Sequence, residues 1–171
     1  MNNFSVKIGD SEYWISRSVA AAGFILRVTS DNDLYILACK RSDKAADYHG
    51  YWCCPCGYLD YNETVKQCCA REIYEETGFS IRTSRLNLFN IQDDPRDSIR
   101  QNITLKYYGI VHISVWDDDG ISNPPLDDEI SEVAWIPINK VDEFQWAFGH
   151  KEIILDLVDK YMKNTLCSDL Y

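Results

Sequence analysis

The chain has 171 residues, 46% of them hydrophobic and 13% aromatic, with 17 Lys plus Arg against 27 Asp plus Glu and a net charge of −10. That length suits one domain with one substantial core, and the aromatic content excludes a disordered chain. The negative charge argues against non-specific binding to nucleic acid or an anionic membrane, and it leaves the capture of an anionic ligand to local cations or a bound metal.

The opening Met1-Asn2-Asn3-Phe4-Ser5 lacks a basic start and an apolar signal core, and no stretch is long and apolar enough to span a bilayer, so the expected location is cytoplasmic. Residues 6–8 and 13–15 read as short strands around Gly9-Asp10-Ser11. Residues 19–28 are apolar and end at the turn Ser30-Asp31-Asn32-Asp33; residues 34–39 form the next strand, which predicts a hairpin. Lys40, Arg41 and Lys44 follow, either as phosphate contacts or as part of an ordinary solvated loop. A polar loop over 42–51 then leads to Trp52 and Pro55-Cys56-Gly57.

The most informative stretch is residues 57–79. Thr64 with Gln67 fits a capping box, Asn62 is a rival cap, and Gly78 suits the left-handed residue that stops a helix. Wound at about 100° per residue, with Glu72 at zero, such a helix puts Glu76 about 40° to one side and Glu75 about 60° to the other. Three carboxylates thus fan over one face, and Val65, Cys69, Ala70 and Ile73 fall on the adjoining core arc. Like charges four residues apart destabilise a helix, as do acidic side chains near its C-terminus. Arg71 offsets part of this through Glu75. Oxygen ligands at this density suit Mg²⁺ or Mn²⁺ rather than zinc.

Beyond the helix, residues 80–91 read mainly as a strand with an irregular start, and Asp93-Asp94-Pro95-Arg96-Asp97 is a turn. Residues 102–115 alternate as a long strand, and 117–125 form a loop. Asp127-Asp128-Glu129 leads to a short strand at 132–136, stopped by Pro137. Residues 141–146 give one or two helical turns. Residues 150–161 carry Ile153, Ile154, Leu157, Val158 and Tyr161 at helical spacing, and the tail at 164–171 is expected to fray. No repeat, low-complexity run or linker divides the chain, which predicts a single α/β domain over 1–171.

The seven cysteines are odd in number and come without a secretion signal, which argues against a disulfide framework. Cys53 and Cys56 have zinc-ligand spacing, but the adjacent Cys68 and Cys69 do not, so small buried apolar residues are expected. The helical phase places Cys69 in the core and Cys68 nearer the carboxylate face, more accessible than its neighbour.

Residues 57–79 resemble the Nudix box, G-x5-E-x7-R-E-U-x-E-E-x-G-U with U a bulky apolar residue. Gly57, Glu63, Arg71, Glu72, Ile73, Glu75, Glu76, Gly78 and Phe79 stand on its fixed positions. The broader resemblance reaches over about residues 20–161. Family members usually carry Pro-Gly-Gly before the box; here Cys56 replaces the first glycine, which puts the close backbone approach at that residue in question. The resemblance implies the Nudix fold, an α/β/α sandwich with a mixed central sheet and the box helix carrying the metal site. It implies Mg²⁺, with Mn²⁺ as an alternative, held by Glu72, Glu75, Glu76 and the Gly57 carbonyl. Glu63 and Arg71 would position those carboxylates. The catalytic base is left open between a box glutamate and Glu129 or Glu132.

Asp94-Pro95-Arg96-Asp97, Arg100 and Phe148-Gly149-His150 resemble segments of the ADP-ribose pyrophosphatases of this family, which makes Arg96 and Arg100 candidate substrate contacts; a surface turn is the rival reading. Tyr107, Trp135 and Trp146 fit the core better than a base-stacking role. The expected activity is metal-dependent pyrophosphohydrolysis of a nucleoside diphosphate linked to another group, with ADP-ribose or a related nucleotide sugar as the leading substrate. A hydrolase of nucleoside triphosphates, including oxidised ones, is the first alternative, and a non-catalytic nucleotide-binding regulator the second. The implied partner is a small-molecule nucleotide, with no nucleic acid or membrane. A homodimer is one open oligomeric arrangement.

Overall fold

A computed structural model describes residues 3–97, 100–112 and 127–168. The loop expected at 117–125 and the far end of the strand expected at 102–115 lie outside them.

The described chain opens with a hairpin of β1 (Phe4–Ile8) and β2 (Ser11–Ile15), which among the described residues pair only with each other. The main sheet follows. β3 (Val19–Val28) and β4 (Leu34–Arg41) form the expected antiparallel hairpin, but their pairing covers only Leu26↔Ile36 to Val28↔Leu34. Beyond that the strands part. β6 (Cys56–Tyr58) takes over the freed half of β3, from Ala20↔Tyr58 to Ala22↔Cys56. β5 (Trp52–Cys53) pairs with the end of β4 at Cys39↔Cys53. The gap between β3 and β4 is bridged by a hydrogen bond from the Gly23 N–H to the Pro55 carbonyl, 2.8 Å. This parting of two neighbouring strands makes the opening in which the candidate site lies.

β8 (Ile103–His112) lies parallel to β3 along all of it, and β7 (Asn87–Gln92) is antiparallel to β8 on the sheet edge. β9 (Ile130–Pro137) runs antiparallel to β4 on its other side. The sheet is therefore mixed, as expected. Residues 80–91 supply β7 only after a short 3-10 turn at Thr83–Arg85, and 138–143 make a second 3-10 turn in place of the helical turns expected at 141–146.

Side-chain alternation splits the core into two layers. Ala21, Ile25 and Leu37 face α1 (Val65–Thr77) and pack on Cys69 and Ile73. Ala22, Phe24, Leu26, Ile36 and Ala38 point the opposite way and pack on Ile154 and Leu157 of α2 (His150–Ser168). One helix on each face gives the α/β/α sandwich. α2 continues past Tyr161 to Ser168, into the tail expected to fray; no Gly or Pro follows Gly149 to break it. No helix among the described residues is long and apolar enough to cross a membrane.

His150 at the start of α2 is fully buried. Its Nδ1 accepts a hydrogen bond from the Cys54 N–H at 3.0 Å, and its ring sits edge-on to Phe24, centroids 5.1 Å apart. Burial first, then the charges of Lys106 and Arg41, lowers its pKa from 6.5 to about 3. The unfolded chain therefore takes up a proton that the folded chain refuses. This contribution to stability is present above pH 6.5 and is lost as pH falls toward about 3. Between pH 7 and pH 5 the loss from this group alone is about 2 kcal/mol. Urea titrations at both pH values are expected to show His150→Asn, which keeps an acceptor for Cys54, losing less stability over that interval than the parent. Equal losses would remove His150 as the cause.

Candidate active site

α1 starts where the sequence marks it. Thr64 Oγ1 accepts from the Gln67 N–H at 3.3 Å, and Gln67 Oε1 accepts from the Thr64 N–H at 2.8 Å, so the capping box is closed and Asn62 is not the cap. Gly78 ends the helix at φ 74°, a conformation costly for other residues. The winding between these caps fixes where each carboxylate points.

Glu76 turns inward and is 5% exposed. Its Oε2 accepts from the Cys56 N–H at 3.1 Å and lies 3.4 Å from the Cys39 thiol. Cys56, where the resemblance implies a glycine, thus still brings its backbone against the helix. Burial raises the Glu76 pKa well above the usual carboxylate range; the Cys56 and Glu72 charges add to this and the two hydrogen bonds oppose it. Glu72 is nearly as enclosed, and burial raises its pKa too, against the pull of Arg71. Glu75 is half exposed.

Gly57 lies directly over Glu72. A Cβ built there would meet the Glu72 carboxylate at 2.2 Å, so only glycine allows the approach. Gly57→Ala is expected to keep the fold, because the obstructing atoms end a flexible side chain, but to displace Glu72. Misplacing a reacting or ligating group by about 1 Å can cost on the order of a hundredfold in rate. Steady-state kinetics beside a thermal melt checks this, and full activity would detach Gly57 from the site.

Arg71 ties the box together. Its Nε and Nη2 grip both Glu63 oxygens at 3.2 and 2.7 Å, its Nη1 reaches Glu72 at 2.7 Å and Glu75 at 2.9 Å, and its Nη2 also donates to the Tyr58 carbonyl at 3.1 Å. Glu63 further accepts from the Asp60 N–H at 2.9 Å. The Arg71 hydrogen bonds lower the Glu63 pKa, and the Glu63 bonds foremost raise that of Arg71. The helix phase expected to expose Cys68 is right, but the accessibility is not. Cys68 does face the carboxylate side, where the Tyr58 carbonyl lies 3.4 Å from its thiol, yet β6 and Arg71 cover it and it is as buried as Cys69. Burial foremost pushes both thiols up to about 12.

A second group gathers beside Glu76. Arg41, buried at the end of β4, donates to the Asp47 carbonyl at 2.8 Å and carboxylate at 3.0 Å and lies 3.9 Å from Glu129. Burial opposes its charge, but Cys53, Cys56, Asp47 and Glu76 favour it, and its pKa is raised. Arg100 reaches the same Asp47 at 2.8 Å. Lys106, buried on β8, has its pKa lowered by burial, and its charge bears on His150 as that of Arg41 does. Arg41 and Arg100 supply the local positive charge that an overall net charge of −10 cannot, while Lys106 bears on His150.

The expected residues do not all converge. Arg100 reaches this group, whereas Arg96 folds back onto Asp94 on the surface, 87% exposed. Glu129 stands beside Arg41, but Glu132 pairs with Lys40 at 3.6 Å on the other face of β4. Lys44 is engaged by Asp128 at 2.8 Å. Lys106 has no motif around it, and only its place in an alternating strand marks it.

Two further residues carry unusual backbones, Tyr48, which no sequence pattern marks, and Phe148, which opens the Phe148-Gly149-His150 segment. Tyr48 and Phe148 take φ values of 52° and 58°, in the left-handed region that bulky residues avoid. Their rings meet edge to face, centroids 4.9 Å apart, across a hundred residues of sequence. The Arg41 guanidinium lies 5.2 Å from the Phe148 ring centroid.

The carboxylates suit a hard divalent cation. Glu72 and Glu76 are enclosed, repel each other and have raised pKa values, so a cation between them would restore their charge. Among the described residues no three Asp, Glu, His or Cys side chains stand at metal-binding spacing, and Arg71 occupies oxygens of Glu72 and Glu75. Cation binding would thus displace Arg71 from one or both while leaving its grip on Glu63.

The NUDIX domain family model matches residues 17–157. A nucleoside triphosphatase, NudI of Salmonella agona (strain SL483), is 27% identical over 110 residues, 61% of this chain and 74% of its own. The NUDIX domain of Shewanella oneidensis NrtR, solved with ADP ribose, superposes at a TM-score of 0.73 with 18% identity, covering 86% of this chain and 90% of that one. A bifunctional NMN adenylyltransferase/ADP ribose pyrophosphatase of Francisella tularensis, solved with AMP and a manganese ion, gives 0.66 with 22% identity over 85% of this chain and 42% of that one.

Proposed function

This chain belongs to the NUDIX family and is a Nudix hydrolase, and on that premise we propose that it cleaves the diphosphate of a nucleoside diphosphate linked to another group, with ADP-ribose or a related nucleotide sugar as substrate. The observation that carries the reading is the enclosed pair Glu72 and Glu76 under Gly57 and Cys56, next to the buried cation Arg41. Glu72, Glu75 and Glu76 would hold Mg²⁺ or Mn²⁺ together with the Gly57 carbonyl. The bound ion would supply charge neutralisation at the phosphates and acidify a bound water.

The chain's own residues do the rest. Arg71 holds Glu63 against the start of the helix, so that Glu72 and Glu75 are presented from a fixed base. Arg41 and Arg100, both anchored on Asp47, offer guanidinium groups to phosphate oxygens. Glu129, half exposed beside Arg41, is the candidate base, placed to take a proton from a water near the diphosphate. Arg96, turned onto Asp94, has no part in this arrangement.

The substrate class rests on the likeness to proteins solved with ADP ribose and with AMP. The likeness to a nucleoside triphosphatase favours a second reading, in which a nucleoside triphosphate is cut. A product assay with Mg²⁺ or Mn²⁺ separates them. ADP-ribose is expected to give AMP and ribose phosphate; release of pyrophosphate from a triphosphate, with ADP-ribose untouched, would select the alternative. Binding without turnover of either would point to a regulator.

A further inference from the structure

Cys39 has the surroundings of a small apolar core residue. It is fully buried on β4, opposite Cys53 of β5, in a cluster with Ile130 and Ala147. Its thiol has one neighbour of another kind. Glu76 Oε2 lies 3.4 Å away, within reach of an S–H donor. The other acceptors near the thiol are the carbonyl and the sulfur of Cys53, both at 3.5 Å and both uncharged. A hydrogen bond to an ionised acceptor is roughly twice as strong as one to a neutral group, which directs the thiol proton to the carboxylate. A thiol buried beside a carboxylate keeps its proton, so the sulfur donates here and adds no second negative charge.

Both donors to Glu76 meet the same oxygen. The Cys56 N–H binds Oε2 at 3.1 Å, whereas Oε1 takes no hydrogen bond from any described residue. Oε1 is not sealed in either, because among the described residues the one buried side-chain polar atom without a partner is Arg27 Nε. Oε1 is therefore the oxygen open to a cation. A glutamate carboxylate turns about its last bond in a broad well, and a single donor would leave it free to swing. Donors from two different strands, β4 and β6, hold Oε2 in place and fix where Oε1 points.

We propose that Cys39 is a positioning residue for the hydrolytic site, its thiol holding Glu76 Oε2 so that Oε1 is presented to the divalent cation. This rests on the reading of Glu76 as a cation ligand. Cys39 touches neither cation nor nucleotide and acts through Glu76 alone.

The test compares Cys39→Ser, which keeps a donor, with Cys39→Val, which removes it and stays apolar. Cys53→Ala is the control, removing a thiol of the same buried cluster that makes no hydrogen bond to Glu76. Mg²⁺ affinity is measured by calorimetry on nucleotide-free protein, beside kcat and the melting temperature. Cys39→Val is expected to melt no earlier than Cys39→Ser, because an apolar cluster suits a methyl group better than a hydroxyl. It is nevertheless expected to bind Mg²⁺ about tenfold more weakly and to turn over more slowly, while Cys39→Ser and Cys53→Ala stay close to the parent. A packing role would not make the more stable variant the poorer cation binder. The infrared S–H stretch gives a second readout that needs neither metal nor substrate. The band lost in Cys39→Val is expected below the frequency of a free thiol, and Glu76→Gln is expected to move it back up, since a neutral amide is the weaker acceptor. Three results would each overturn the proposal and leave the hydrolase reading intact: Cys39→Val binding Mg²⁺ as tightly as Cys39→Ser, Cys53→Ala weakening as much as Cys39→Val, or a band indifferent to Glu76→Gln. If the band does respond but Glu76→Gln leaves Mg²⁺ affinity and turnover unchanged, Glu76 is no cation ligand, and the positioning role falls with that reading.

Discussion

Replacing Glu76 with glutamine is expected to remove nearly all turnover, by about a hundredfold or more, while the protein stays folded. Glutamine has almost the same shape, and its amide oxygen still accepts from the Cys56 N–H that Glu76 engages at 3.1 Å. What disappears is a negative charge in a buried position, where a hard cation depends on it most. The same change has a signature in stability. Because burial raises the Glu76 pKa in the folded state, its contribution is fully present below about pH 4.5 and is lost as pH rises through the folded-state value. In metal-free buffer the variant is therefore expected to match or exceed the parent's melting temperature at pH 7 and to lose that advantage in acid. A kcat near that of the parent at saturating Mg²⁺ would take Glu76 out of the cation site.

Removing Arg71 should damage both stability and rate. Alanine there leaves the enclosed Glu63 and Glu72 without their main donor. Unpaired carboxylates in such positions cost about 1–3 kcal/mol each when buried, and the 28% exposure of Arg71 moderates the sum. A residue that orients metal ligands without being one is typically worth about 10–100-fold in affinity or activity. Arg71→Lys keeps the charge but not the fork that holds both Glu63 oxygens, and it should fall between parent and alanine. The apparent Mg²⁺ affinity, read with the melting temperature, separates the roles. A variant that melts earlier but binds Mg²⁺ and turns over normally would make Arg71 a structural strut alone.

The box helix was legible almost residue by residue, because its caps, its apolar stripe and its carboxylates obey local rules. The Thr64 cap, the Gly78 stop and the inward turn of Cys69 and Ile73 all follow from spacing within one helix. The hairpin at β3 and β4 was legible for the same reason. Failures came where distant segments meet. Cys68 is covered because β6 crosses over it, a contact no helical wheel contains. Arg100 and Arg96 look equivalent in sequence, and only the position of Asp47 on another loop separates them. Lys106 and Tyr48 carry no motif, and the nearness of Lys106 to His150, or of Tyr48 and Phe148 to each other and to Arg41, exists only once the sheet has closed.

The parallel pairing of β3 with β8 also bears on how the molecule is made. Val19 meets Ile103, so the central pair of the sheet joins strands separated by about half of the chain, and β3 leaves the ribosome long before its neighbour exists. Closing so long a loop is entropically costly before any contact rewards it, which slows folding. Until β8 arrives, the apolar flank of β3 has only β4, β6 and α1 for cover, and the unpaired edge is open to the wrong strand. Refolding from urea should accordingly be slow relative to helical proteins of this size. A nascent chain halted before residue 103 should be held by chaperones, because the middle of its sheet is still missing.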